Sequence, residues 1–183
     1  DNGVAVGYNA LNANTTGGSN TAIGYGTLLV NTTGADNTAV GRNALYANTT
    51  ASDNTAVGYE AMAANTTGTR NVALGDNALS ANTTASDNTA IGSYALDANT
   101  TGANNTVIGS DALKTNTTGN HNVAIGLNAL EDQTSASNNI AIGVDAGRLT
   151  TSGSQNVYVG RSAGEAGTTS ACVRNVVMGF DTL

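Results

Sequence analysis

Proline and tryptophan are absent from this 183-residue sequence, and phenylalanine and cysteine occur once each, as Phe180 and Cys172. Proline has no backbone N–H to donate, so a chain without it can hydrogen-bond to its neighbours through a ladder that runs its whole length. A lone cysteine excludes an intrachain disulfide and a cysteine-based metal cluster. Charged residues make up only 10% of the chain, and its six basic residues (Arg42, Arg70, Lys114, Arg148, Arg161 and Arg174) are scattered through a sequence of net charge −7. Nucleic-acid binding needs a basic stripe to displace counterions, and none exists here. No apolar run approaches the roughly 18 residues of a helical membrane span, so membrane insertion is not expected. Nothing in the sequence calls for a cofactor or a resident metal.

What is there is a repeat. Glycine returns every seventeen residues at Gly7, Gly24, Gly41, Gly58, Gly75, Gly92, Gly109, Gly126, Gly143 and Gly160, and then at Gly179 after nineteen. A spacing held this evenly, with self-similar residues around each marker, means stacked identical units rather than one globular core. The composition is polar enough for disorder, but disordered chains lack periodic aliphatics.

Counting from the repeat glycine, position −1 is always aliphatic or Met, as in Val40, Ile91 and Met178. Position −2 is mostly alanine: Ala39, Ala56 and Ala90 stand for the column, with Val107, Tyr158 and Val177 as exceptions. Neighbouring strand residues face opposite ways, so these two columns predict a strand packed on both faces. The small alanine column is expected to lie against a second backbone, that of a neighbouring chain. Ala-Leu follows at +3 and +4, and the leucines, among them Leu45, Leu79 and Leu96, are expected to fill the coil interior from a tight corner too short to be a stable helix. Asn-Thr-Thr comes next, and a second asparagine column, including Asn37, Asn54 and Asn88, precedes each strand after the first. Asparagine tolerates left-handed corners, and aligned side-chain amides can bond up a stack.

These columns give an all-β, repetitive β-solenoid of 17-residue coils. Residues 1–160 form the regular part, and residues 161–183 a degenerate last repeat leading toward a further C-terminal module. Two large aliphatics per coil are little apolar surface to set against the ordering of seventeen residues, so chain association is expected.

The block Asn88-Thr89-Ala90-Ile91-Gly92, and again Asn122-Val123-Ala124-Ile125-Gly126, resembles the head repeat of trimeric autotransporter adhesins and the repeats of bacteriophage or phage-like tail fibres. The unit here is longer than the adhesin repeat by the Ala-Leu-X-Ala-Asn-Thr-Thr corner, which looks more like the phage fibres. The resemblance implies a left-handed β-roll, a homotrimer intertwined or side by side, and a non-enzymatic fibre at a virion surface. A bacterial surface adhesin of the same build is the alternative. Both imply a cell-surface glycan or protein receptor.

Among chemistry-bearing residues, Tyr8, Tyr25 and Tyr59 at position +1, with Tyr94 elsewhere, are candidates for surface recognition, since exposed tyrosines stack on sugars or anchor partners. His121 shares its column with Ser19, Asp36, Asp53, Arg70, Asp87, Asn104 and Asn138, a mixture that fits a solvent-facing position. Asp36 and Asp53 would stand one coil apart, near enough to share a cation. Glu131, Asp132, Asp145 and Glu165 sit where the repeat decays, without an aromatic platform for a sugar substrate. The threonine pairs, from Thr15-Thr16 to Thr117-Thr118, suggest a rival of another class, an ice-binding solenoid.

Overall fold

A computed structural model describes residues 2–165 and 173–182; within the expected degenerate last repeat, 166–172 and Leu183 lie outside them. Eleven three-residue strands follow one another: β1 (Val4–Val6), β2 (Thr21–Ile23), β3 (Thr38–Val40), β4 (Thr55–Val57), β5 (Val72–Leu74), β6 (Thr89–Ile91), β7 (Thr106–Ile108), β8 (Val123–Ile125), β9 (Ile140–Ile142), β10 (Val157–Val159) and β11 (Val176–Met178). They form one parallel sheet in chain order. Each residue pairs with its equivalent one repeat later, as in Ala39 with Ala56, and β11 keeps the register across the nineteen-residue interval, Val159 facing Met178. The protein is an all-β solenoid of about ten turns, without a helix among the described residues. At about 4.8 Å per strand its sheet is about 48 Å long.

Backbone bonds between coils continue around the corners, for example Gly41 N–H to Ile23 O at 2.8 Å, Asn43 N–H to Tyr25 O at 2.8 Å and Leu45 N–H to Ala61 O at 3.0 Å. The repeat glycines are needed twice over. They adopt φ from 123° to 143°, and a Cβ on Gly92 would lie 2.5 Å from the carbonyl of Gly109 one coil on. Two turns then make the corner, closed by bonds such as Ala44 N–H to Gly41 O and Asn48 N–H to Leu45 O.

The leucine column occupies this corner in the left-handed region, with φ between 48° and 54°, which the Ala-Leu sequence does not announce. That conformation costs an L-residue about 1–2 kcal/mol. Burial of the side chain, worth about 1.5–3 kcal/mol, offsets it. Leu28, Leu45, Leu79, Leu96, Leu113 and Leu130, with Met62, are wholly buried.

The alanine column corrects the expectation made for it. Ala22, Ala39, Ala56, Ala73, Ala90, Ala124 and Ala141 do not face a neighbouring chain; they are buried inside their own coil, in one cluster with the leucines. The reason is room: a seventeen-residue coil already filled by a leucine leaves space for a methyl group on the inner side of its strand. The larger aliphatics at −1 therefore turn outward, and the single chain covers one face of its sheet only. The exception at β10 fits the same logic. Tyr158 takes an alanine place, while Gly147 and Gly164 take the leucine places beside it; a Cβ on Gly147 would lie 2.7 Å from the tyrosine ring.

Both asparagine columns are interior ladders. At −4, Asn54 Oδ1 accepts from the backbone N–H and Nδ2 of Asn71, at 3.0 and 3.2 Å, while Asn54 Nδ2 donates to Gly68 O at 2.9 Å. At +7, Asn48 Nδ2 donates to Asn31 Oδ1 and Ala51 O, at 2.8 and 3.1 Å. The +7 ladder ends in Gln133, which accepts from Asn139, and Thr150, whose hydroxyl meets that of Tyr158 at 3.3 Å.

Candidate interaction surfaces

Because the alanines point in, the strand residues at −3 and −1 form the outer face of the sheet along its whole length. This face carries Val, Ile, Leu and Met with five threonines, Thr21, Thr38, Thr55, Thr89 and Thr106, and no charged residue. Val6, Leu74, Ile142, Val176 and Met178 are among its exposed members. All-parallel sheets are ordinarily covered on both faces, and this one leaves its outer face uncovered in the single chain. The aliphatic column was visible in the sequence, but the −3 column completing the face went unnoticed, although the alternation of strand residues could have revealed it.

Beside this face runs position +1. Tyr8 and Tyr25 are stacked, with ring centroids 5.3 Å apart and planes 16° from parallel. Arg42, in the next coil, lies over the ring of Tyr25 at 5.9 Å and over that of Tyr59 at 5.6 Å. Three of the four tyrosines singled out from sequence thus belong to one ladder, and the fourth does not. Tyr94 stands apart, under the ammonium of Lys114 at 4.9 Å. Arg42 and Lys114 were missed as partners; Arg42 could have been found by reading the tyrosine column for every residue it contains. Tyr59 is exposed, and the adjacent Glu60, by hydrogen bonding and charge, raises its phenol above the ordinary tyrosine pKa.

The remaining charges are arranged in columns. At +5, Lys114, Glu131, Arg148 and Glu165 alternate in sign along the stack. Arg148 is ringed by Glu165 at 3.2 Å, Asp145 at 3.7 Å and Glu131 at 3.8 Å, so these carboxylates turn toward a guanidinium rather than toward one another. Lys114 pairs with Asp111 at 2.7 Å, and Ser80 bonds to Asp97. Arg70 grips Asp87 through two bonds, at 2.7 and 2.8 Å. These cations hold the Asp87 and Asp111 carboxyls below the usual aspartate range. His121, Asp36 and Asp53 are exposed in left-handed corners, with φ of 57°, 57° and 63°. Among the described residues no three His, Cys, Asp or Glu side chains converge on a point.

The threonine pairs lie in bends rather than strands. The first of each pair is committed to the fold, Thr66 Oγ1 donating to Thr83 O at 2.9 Å and Thr32 Oγ1 to Thr49 O at 3.0 Å. The second is exposed. The asparagines of the same Asn-Thr-Thr segments, from Asn31 to Asn116, are buried in the +7 ladder. Scans against protein-family models, curated proteins and solved structures find no match to this chain.

Proposed function

We propose that this chain is a structural segment of a homotrimeric attachment fibre, most closely resembling a phage or phage-like tail fibre, which projects or forms a surface for a host receptor. The observation that carries this reading is the uncharged apolar outer face. Covered by two further copies of the chain, it becomes the dry centre of a three-sided rod, and the parallel sheet gains the second packed layer that such sheets require. The threefold order and the left-handed coil rest on the resemblance carried by the Asn-Thr-Ala-Ile-Gly block. In the alternative reading the same rod stands on a bacterial cell surface as an adhesin; the face and its use are unchanged.

Cysteine cross-linking tests the arrangement. In a Cys172→Ser background, Thr89→Cys on the outer face is expected to give covalently linked chains under mild oxidation, whereas Thr101→Cys, in an exposed bend, is not. Equal cross-linking at both positions, or none at Thr89→Cys, contradicts association through this face.

A further inference from the structure

We infer that Arg42, held between the rings of Tyr25 and Tyr59, is a binding site for the carboxylate of an acidic saccharide. This deepens the attachment reading and rests on it. Tyr8, Tyr25, Arg42 and Tyr59 occupy position +1 in four successive coils, and each lies against the next along the rod. The ring faces directed at one another are therefore occupied, so a sugar cannot lie flat between them. What the ladder offers outward is the edge of the guanidinium and the phenol hydroxyls beside it.

Arg70, Lys114 and Arg148 each have a carboxylate within 4 Å, whereas Arg42 is exposed and has no acidic partner among the described residues. Arg161, in the same +1 column, is also without a carboxylate partner among the described residues, but it lies over one ring, that of Phe180, and the preceding coil places Val144 rather than an aromatic residue at +1, so Arg42 alone stands between two tyrosines. Glu60, the nearby acid, is engaged by Asn43 Nδ2 at 3.4 Å. A guanidinium held between two rings is restricted in its motion while its N–H groups have no carboxylate to bind, and a guanidinium edge matches a carboxylate through two parallel bonds. The neighbouring hydroxyls can exchange hydrogen bonds with ring hydroxyls of the same sugar. A single cation in a chain of net charge −7 suits one carboxylate better than a multiply charged phosphate. A weak single site of this kind becomes effective when displayed on several chains of one fibre.

The test uses the full chain against immobilised oligosaccharides in three arms: uronic acid-containing, sialylated, and a counterpart with its carboxylate reduced to the alcohol. The expected result is at least about tenfold tighter binding in one of the acidic arms than in the reduced arm. Arg42→Gln is expected to abolish that difference, and Arg70→Gln, at an already paired cation, to leave it unchanged. Acidic binding that survives Arg42→Gln, or no preference for either acid, overturns the site. Light scattering on the same samples separates this from the fibre reading: a trimer without acid preference loses only the site. A monomer whose acid binding depends on Arg42 keeps the site and loses the trimer.

Discussion

Replacing Asn88 with alanine removes one rung of the ladder that precedes the strands, and the consequences can be worked bond by bond. Asn88 Oδ1 accepts the backbone N–H of Asn105 at 2.9 Å and its Nδ2 at 3.1 Å, while Asn88 Nδ2 donates to Gly102 O at 2.9 Å. After truncation Asn105 Nδ2 keeps Gly119 O, and Gly102 O keeps Asn99 Nδ2. The backbone N–H of Asn105, in a buried residue, is left with nothing. One orphaned amide together with the lost bonds amounts to about 3–5 kcal/mol. The equivalent change in the other ladder, Asn82→Ala, strands only a side-chain acceptor, Asn65 Oδ1, because Ala85 O retains Asn71 Nδ2 and Asn99 Nδ2 retains Gly102 O. It should cost roughly 1–2 kcal/mol less, in keeping with a column that already contains Gln133 and Thr150. Urea unfolding at one fixed protein concentration measures both, and amide exchange at Asn105 reports the orphaned group directly. An Asn88→Ala protein within about 1 kcal/mol of the parent, or an Asn82→Ala protein that is the weaker of the two, refutes this assignment of the ladders.

Three further outcomes are expected. Gly92→Ala meets both a φ of 134° and a backbone contact at 2.5 Å, so it should lose more than about 4 kcal/mol or fail to fold; Gly18→Ala, with open space around it, should change the melting temperature little. Gly147→Leu should destabilise alone but be favourable in a Tyr158→Ala background, because leucine and alanine restore the pairing of the other coils; additive effects in the double-mutant cycle contradict the exchange of volume described at β10. The depressed Asp87 and Asp111 carboxyls contribute stability that is fully present above the ordinary aspartate pKa of about 4 and lost as pH falls through their lower folded values. The urea midpoint should therefore fall below about pH 4 and not between pH 6 and 5, and Arg70→Gln should remove part of that acid dependence.

The repeat made much of the fold legible, because each structural demand appears as a column. Gly92 and its equivalents mark where the chain must turn close to the next coil, and Leu45, Leu79 and Leu96 lie in the interior expected for them. Which side of the strand turns inward was not legible. Alternation puts Ala90 and Ile91 on opposite faces but does not say which face is the core, and that choice depends on the space left by a leucine from another part of the coil. The left-handed conformation of that leucine was hidden for a similar reason, since burial rather than local preference sustains it. At the surface, the shared +1 position of Tyr8, Tyr25 and Tyr59 was legible, but the contacts within that column were not. The stacking of the tyrosines and the insertion of Arg42 follow from the coil spacing, which brings residues seventeen apart into contact.

The most direct test of the central proposal is the absolute mass in solution by light scattering, compared for the parent chain and Ile91→Arg on the outer face. The account predicts a parent mass near three times the 18.1 kDa of one chain, stable to dilution, and its loss in the variant. A parent that stays a stable monomer, or a trimer indifferent to Ile91→Arg, contradicts it.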